Sequence, residues 1–223
     1  MIYNSPEYWL NKKRNTPKNF LTFVSPEVFL IKTSVGSKIW DGVLEYSTDT
    51  ETWIEWDGSE ISAVYGDNKY ALYFRGTGNT IITGGTDTDI KYLLITGADI
   101  QCSGNIETLL DYATVESGKH PTMETSCYHS MFNGCTALTQ APSLPATTLA
   151  SSCYYSMFNG CKKIKLSDIK TEEYTQDYRI PVSGTGTTAS RALTNMFSGT
   201  GGTFKSTPQI NKMYYLSSSN TIV

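Results

Sequence analysis

Residues 127–135 read Cys-Tyr-His-Ser-Met-Phe-Asn-Gly-Cys, and residues 153–161 read Cys-Tyr-Tyr-Ser-Met-Phe-Asn-Gly-Cys. The copies differ only at His129 and Tyr155, and a constant offset, Cys127 to Cys153, relates them. A fixed period of roughly 20–50 residues marks units that bury their apolar faces against one another, and it predicts a stacked solenoid in the second half of the chain. Within the second copy Leu149, Cys153 and Met157 fall four apart, with Phe158 beside them, which reads as one apolar helix stripe. Asn159-Gly160 ends that helix, because both residues tolerate the left-handed conformation of a C-cap. Cys161, Ile164 and Leu166 then read as a turn and a short strand. The first copy repeats the pattern with Met123, Cys127, Met131, Phe132, Asn133-Gly134 and Leu138, and Pro142, Leu144 and Pro145 form an extended return. A weaker third copy holds Ala192, Leu193, Met196, Phe197 and Gly199. The step from Met157 to Met196 is half again as long as that from Met131 to Met157, so a polar insert near 168–190 is expected to bulge as a loop.

Upstream, Leu72 to Asn79 and Leu93 to Ile100 are strand-and-turn phrases of matching form, with Gly76 and Gly97 in equivalent places. They read as further rungs. Gly76-Thr77-Gly78 lacks a following Gly-Lys-Ser/Thr and a helix, so it is neither a phosphate loop nor a dinucleotide fingerprint. Asn105 to Tyr112 reads as a short helix with Ile106, Leu109 and Leu110 on one side. Residues 21–66 alternate every second residue (Leu21, Phe23; Val43, Glu45) and read as a small β-subdomain that caps the stack. Residues 1–20 read as an arm, with an aromatic island at Tyr8, Trp9 and Leu10 suited to docking. Residues 67–205 form the solenoid, and 206–223 a tail that adds a last strand at Met213–Leu216 or a second contact segment.

Composition narrows the function classes. The chain has 223 residues, a net charge of -3 and 17% charged residues, with 15 tyrosines. No basic face dominates, which argues against nucleic acid. No stretch reaches the roughly 18 apolar residues of a membrane span. Residues 1–20 carry Lys12, Lys13, Arg14 and Lys18 without an apolar stretch behind them, so they do not read as a signal peptide. A polar, weakly charged surface without such a signal fits a particle component released by lysis. The five cysteines, Cys102, Cys127, Cys135, Cys153 and Cys161, lack the short Cys-x-x-Cys spacing of zinc sites. They read as small buried hydrophobes at equivalent positions, with a disulfide or a metal as the alternatives.

Chemistry-bearing candidates are few. Ser47, Asp49, Glu51, Thr52 and Trp53 partly match the Asp-box hairpin, in which an Asp side chain holds a tight turn with the Trp packed beneath. The match lacks the usual Gly and one spacer. Asp49, Glu55, Asp57 and Glu60 lie beside Trp53 and Trp56, a mixture that suits sugar binding and, as the enzymatic alternative, a small glycosidase with two carboxylates. The histidines are His120, in a turn before Pro121, and His129, placed on the exposed side of the helix and so on the candidate contact surface. Tyr128, Tyr154 and Tyr155 form either a contact strip or the filling between adjacent rungs. No catalytic residue, metal site or cofactor is expected.

The repeat phrase, with Leu138-Thr-Gln-Ala-Pro-Ser-Leu-Pro-Ala-Thr-Thr-Leu-Ala150 after it, resembles the BspA-like leucine-rich repeats of bacterial surface proteins and their phage relatives. The likeness covers about residues 40–166. It implies an α+β architecture, a short leucine-rich-repeat-like solenoid with a strand and a short helix per repeat, capped by the N-terminal β-subdomain. It also implies adhesion or host contact without catalysis. With only two good repeats, a non-enzymatic bacteriophage virion structural or attachment component is expected, located in the virion. A bacterial cell-surface adhesin fragment is the alternative. Expected partners are other virion or surface proteins, a host glycan or surface protein, and further copies of the chain in a homo-oligomer, with no nucleic acid and no membrane insertion.

Overall fold

In a computed structural model of the chain, residues 19–180 and 189–218 are described. Strands dominate among them: β1 (Leu21–Ser25), β2 (Leu30–Thr33), β3 (Val43–Ser47), β4 (Ile54–Glu55), β5 (Ile61–Ser62), β6 (Val64–Gly66), β7 (Lys69–Thr77), β8 (Leu93–Thr96), β9 (Ile100–Ser103), β10 (Leu138–Gln140), β11 (Lys165–Ser167), β12 (Gln176–Arg179), β13 (Gly201–Gly202) and β14 (Met213–Leu216). A short helix, α1 (Thr108–Glu116), follows β9 and is interrupted by extended backbone at Asp111.

Seven strands form one sheet in the order β10-β9-β1-β7-β3-β4, with β6 also paired to β7. A second sheet runs β12-β14-β11-β13 and a third runs β5-β2-β8. The two-residue alternation of β1 decides which side is core. Leu21 and Phe23 are buried beside Leu72, Phe74 and Cys102, while Thr22 and Val24 face outward. α1 closes on β7 so tightly that a Cβ at Gly76 would lie 1.7 Å from the Leu109 carbonyl oxygen, which explains the glycine there.

The expected α+β leucine-rich-repeat solenoid does not form; among the described residues the fold is β-rich, with three sheets, fourteen strands and a single short helix. The strand phrases at 72–79 and 93–100 are not successive rungs. The first lies in β7, between β1 and β3, and the second contributes β8, which pairs with β2 in another sheet. The seven-stranded sheet joins strands from both sides of the 66/67 boundary. The insert expected as a loop contributes β12, and its residues 181–188 lie outside the described residues.

The repeat phrases themselves are continuous turns at 125–134, 151–160 and 190–199. Positive φ recurs every fourth residue: Ser126 (60°) and Ser130 (56°), Ser152 (53°) and Ser156 (50°), Arg191 (58°) and Asn195 (56°). An α-helix cannot accommodate such residues. The period is therefore four rather than 3.6, and the two are nearly indistinguishable over so short a phrase. The glycines ending the phrases, Gly134 (74°), Gly160 (75°) and Gly199 (70°), do take the left-handed conformation expected of them.

Backbone hydrogen bonds show how the turns stack. In the first segment alternate N–H groups bond locally, as Met131 to the Tyr128 carbonyl (3.2 Å) and Asn133 to Ser130 (2.9 Å). The others donate to the next segment: Tyr128 to Cys153, Ser130 to Tyr155, Phe132 to Met157 and Gly134 to Asn159, at 2.7–2.9 Å. The second segment repeats this toward the third, with Tyr154, Ser156, Phe158 and Gly160 donating to Ala192, Thr194, Met196 and Ser198. Both ends of the ladder are closed. The Cys127 carbonyl accepts from Ile82 and Thr83, and the Met131 carbonyl from Leu93; beyond the third segment, Phe197 donates to the Ser206 carbonyl and Asn195 to Thr207 Oγ1. These pairings satisfy backbone groups that burial would otherwise leave without water or partner.

Candidate functional site

Stacking places the side chains of the repeat in columns. Tyr128 lies on Tyr154 with ring centroids 5.5 Å apart and planes 4° from parallel. Phe132, Phe158 and Phe197 stack at 5.4 Å per step. Tyr128 and Tyr154 are fully buried, so they fill the space between segments and do not form an exposed strip. The Tyr128 hydroxyl donates to the Ile106 carbonyl (3.1 Å), whereas the buried Tyr154 hydroxyl has no hydrogen-bond partner among the described residues.

His129, expected on an exposed helix side, is buried, because its turn puts it under the loop at 85–89. Its ring stacks on Tyr155 (4.7 Å), and the Arg191 guanidinium also lies over the Tyr155 ring (4.4 Å). Asp87 joins the ends of this column, 2.8 Å from Arg191 and 3.5 Å from His129 Nε2. The Arg191 hydrogen bond and charge hold the Asp87 carboxyl below its ordinary range. Burial lowers the His129 pKa, and Asp87 only partly offsets this. Tyr155, unlike Tyr128 and Tyr154, is partly exposed, but His129 and Arg191 already occupy its ring.

All five cysteines are free and buried. Burial raises every thiol pKa, to about 12 for Cys135 and Cys153 and well above the ordinary range for Cys102, Cys127 and Cys161. Two of them act as donors that tie the repeat to its neighbours. Cys135 Sγ donates to the Leu93 carbonyl (3.2 Å) and Cys161 Sγ to the Phe132 carbonyl (3.0 Å). Among the described residues no group of three His, Cys, Asp or Glu side chains is placed to hold a metal, and no helix is long and apolar enough to cross a membrane.

The Asp-box-like segment does form a side-chain-held turn. Asp49 Oδ1 accepts from the N–H of Glu51 and Thr52 (both 2.8 Å), and the Ser47 hydroxyl accepts from the Thr50 N–H (2.9 Å). The two backbone hydrogen bonds and Ser47 pull the Asp49 carboxyl below its ordinary range, and Ser59 does the same for Asp57. Neither is poised as a general acid. Trp56 is buried, stacked on Trp40 at 5.2 Å. Trp53 is half-buried; its ring packs on Phe20 (4.7 Å) and carries the Arg75 guanidinium at 4.1 Å, itself tied to Glu45 (2.7 Å). Arg75 therefore occupies the ring face that sugar would need. Glu55 is exposed on β4 and Glu60 pairs with Lys32 (3.0 Å). Tyr8, Trp9 and Leu10 lie outside the described residues.

A recess of about 420 Å³ on the outer face of the seven-stranded sheet has no counterpart among the sequence motifs. Thr22, Val24, Tyr73, Gln101 and Ser103 line it, and Asp67, Asn68 and Lys69 border it. Strand register explains the grouping: Thr22 lies opposite Tyr73 on one side and Ser103 on the other, and Val24 opposite Gln101. Asp67 (φ 50°) and Asn68 (φ 62°) make the two-residue turn that joins β6 to β7. Burial and the nearby Asp67 charge raise the Tyr73 phenol pKa. The detectable signal is the alternation in 21–25 together with Asp67-Asn68, but pairing of β1 with β7 and β9 is needed to unite them. A second, smaller recess of about 200 Å³ lies between Ser143–Pro145 and Asp177–Ile180.

Compared with known proteins, the chain matches no family model, no curated protein and no solved structure. The BspA-like resemblance of the repeat phrase thus rests on those residues alone.

Proposed function

We propose that this chain is a non-enzymatic contact module, a structural or attachment component of a bacteriophage particle. The observation that carries it is the polar recess on the sheet: hydroxyl and amide groups and one tyrosine held on β1, the two strands paired to it, β7 and β9, and the β6–β7 turn. Rigid strands hold contact groups at fixed separations, which lowers the ordering cost of binding. The buried thiols and the hydrogen-bonded, acid-shifted Asp49 and Asp57 fit the same reading, since each is committed to structure. The weakly charged, tyrosine-rich composition and the resemblance of the repeat phrase to surface proteins support the particle location.

The test is fractionation of lysate from a producing culture on a density gradient, with an antibody against the chain and mass spectrometry of the particle band. Comigration with particles at a fixed copy number is expected. Recovery in the cell envelope or as free protein would overturn the particle assignment, and turnover of an oligosaccharide by the purified protein would overturn the non-enzymatic one.

A further inference from the structure

From the recess on the seven-stranded sheet we infer a binding site for a neutral saccharide, read by side chains from β1, β7 and β9 and by the β6–β7 turn. The inference deepens the contact-module reading and rests on it. Three observations narrow the ligand class.

The first is what the backbone denies. β1 is hydrogen-bonded to β7 on one side and to β9 on the other. No ladder is left open at the floor of the recess, so an extended peptide gains no main-chain pairing there. The ligand is recognised through side chains alone.

The second is charge. Among the described residues, Asp67 and Lys69 are the charged ones bordering the recess, and they are of opposite sign. Phosphate, sulfate or sialate would call for a cluster of cationic donors. A ligand without net charge suits a site whose own charges balance.

The third is the inventory of donors and acceptors. Asp67 offers two acceptor oxygens and Asn68 an amide able both to donate and to accept, while Gln101 is largely buried and already has a partner. Ser103 and Tyr73 add hydroxyls, Thr22 adds one that already donates to the Phe20 carbonyl (2.9 Å) and can still accept, and Tyr73 adds a ring face. Val24 is the one aliphatic side chain of the lining among the described residues. Such density of two-way hydrogen-bonding groups matches a ligand carrying adjacent hydroxyls, each both donor and acceptor. The volume of about 420 Å³ falls within the range of roughly 300–1,000 Å³ typical of small-ligand sites. The site is distinct from Trp53 and Trp56, the aromatic residues that the sequence offered for sugar.

The experiment is a screen of the full chain on immobilised oligosaccharides ending in neutral hexoses or N-acetylhexosamines, with sialylated and sulfated glycans alongside. Saturation-transfer NMR on the best soluble glycan then follows. Binding to a neutral glycan is expected, unchanged when salt is raised about tenfold, because no ion pair with the ligand is screened. Asp67→Asn keeps the positive-φ turn, since asparagine tolerates it, and Tyr73→Phe keeps the ring. The double variant is expected to bind at least tenfold more weakly while melting like the parent, and Glu55→Gln on β4 is expected to bind as the parent does. Preference for the anionic glycans, loss of binding in high salt, or undiminished binding by either a folded Tyr73→Phe or the double variant would overturn the inference. Absence of any glycan binding also overturns it, yet leaves particle comigration standing, so the two readings fail separately.

Discussion

Removing the ring of Phe158 tests the stacked-turn architecture directly. Phe158 is fully buried between Phe132 and Phe197, 5.4 Å from each. Burying a phenylalanine side chain contributes about 1.5–3 kcal/mol, and each aromatic contact adds about 0.5–1.5 kcal/mol beyond area. Two contacts bring the sum to roughly 2.5–6 kcal/mol, which brackets the loss of about 3–5 kcal/mol seen when buried phenylalanine becomes alanine. Phe158→Ala is therefore expected to cost about 4 kcal/mol, a large share of the roughly 5–15 kcal/mol that holds a typical domain. Urea unfolding followed by circular dichroism reads it, and a double-mutant cycle with Phe132→Ala isolates the stack. The expected coupling is about 0.5–1.5 kcal/mol. If Phe158→Ala costs less than about 1.5 kcal/mol, or if the coupling is zero, the rings do not stack as described and the registry of the segments is wrong.

Further outcomes follow from the buried polar groups. Native protein at pH 8 should leave all five thiols unreacted with a disulfide reagent, and denaturant should expose all five; prompt reaction of any one in the native state contradicts the core placement. His129 has a lowered pKa, caused first by burial and only partly offset by Asp87, 3.5 Å from its Nε2. A depressed folded pKa gives stability that is present above the unfolded value of about 6.5 and is lost as pH falls through the folded value. Chemical denaturation between about pH 7.5 and 5 should show that loss in the parent and a flatter profile in His129→Phe. Glu107 behaves oppositely: burial raises its pKa, more than its 2.8 Å hydrogen bond with His120 lowers it. A raised carboxyl contributes stability fully present below its unfolded pKa and lost as pH rises through the folded value, so Glu107→Gln should gain on the parent from about pH 4 to pH 8 in the same assay. At Asp41, burial pushes the pKa upward but hydrogen bonds from the Thr80 hydroxyl and the Thr80 and Ile81 N–H groups outweigh it, leaving the group lowered. Asp41→Ala should cost about 1–2 kcal/mol at neutral pH, and the difference should vanish as acid protonates Asp41 in the parent.

Part of this fold is legible in the residues and part is not. The period-two burial of β1, the Asp49 turn and the left-handed glycines that end the repeat phrases follow from local chemistry, and the sequence shows them. The repeat is visible too, but its conformation is not. Leu149, Cys153 and Met157 at four-residue spacing satisfy a helix of about 3.6 residues per turn and a chain of turns of period four almost equally well. Serine at 126, 130, 152 and 156 is the discriminating sign, since serine is no marker of a helix interior and here takes positive φ. Tyr128 and Tyr154 illustrate a second limit: a repeated tyrosine is equally consistent with a surface strip and an interior column, and only the neighbour's position decides. The recess is a third case. Its floor comes from β1, β7 and β9, with six other strands lying between them along the chain, so no window of sequence contains it.

The alternation of amide roles along the turn segments has a consequence for how this chain can change in length. Even and odd N–H groups serve different neighbours, so adding one residue inside a segment exchanges the roles of every group beyond it. The bonds to the adjoining segment past that point would be lost together. Between segments there is no such parity to keep. Doubling a connecting loop costs only about 0.6 kcal/mol in closure entropy. The connections already differ: the path from Phe158 to Phe197 is half again as long as that from Phe132 to Phe158, while the ring spacing stays at 5.4 Å. The phrases act as fixed type and the connections as adjustable spacing, so within the stacked segments new surface can enter through the connecting stretches without altering the lines themselves.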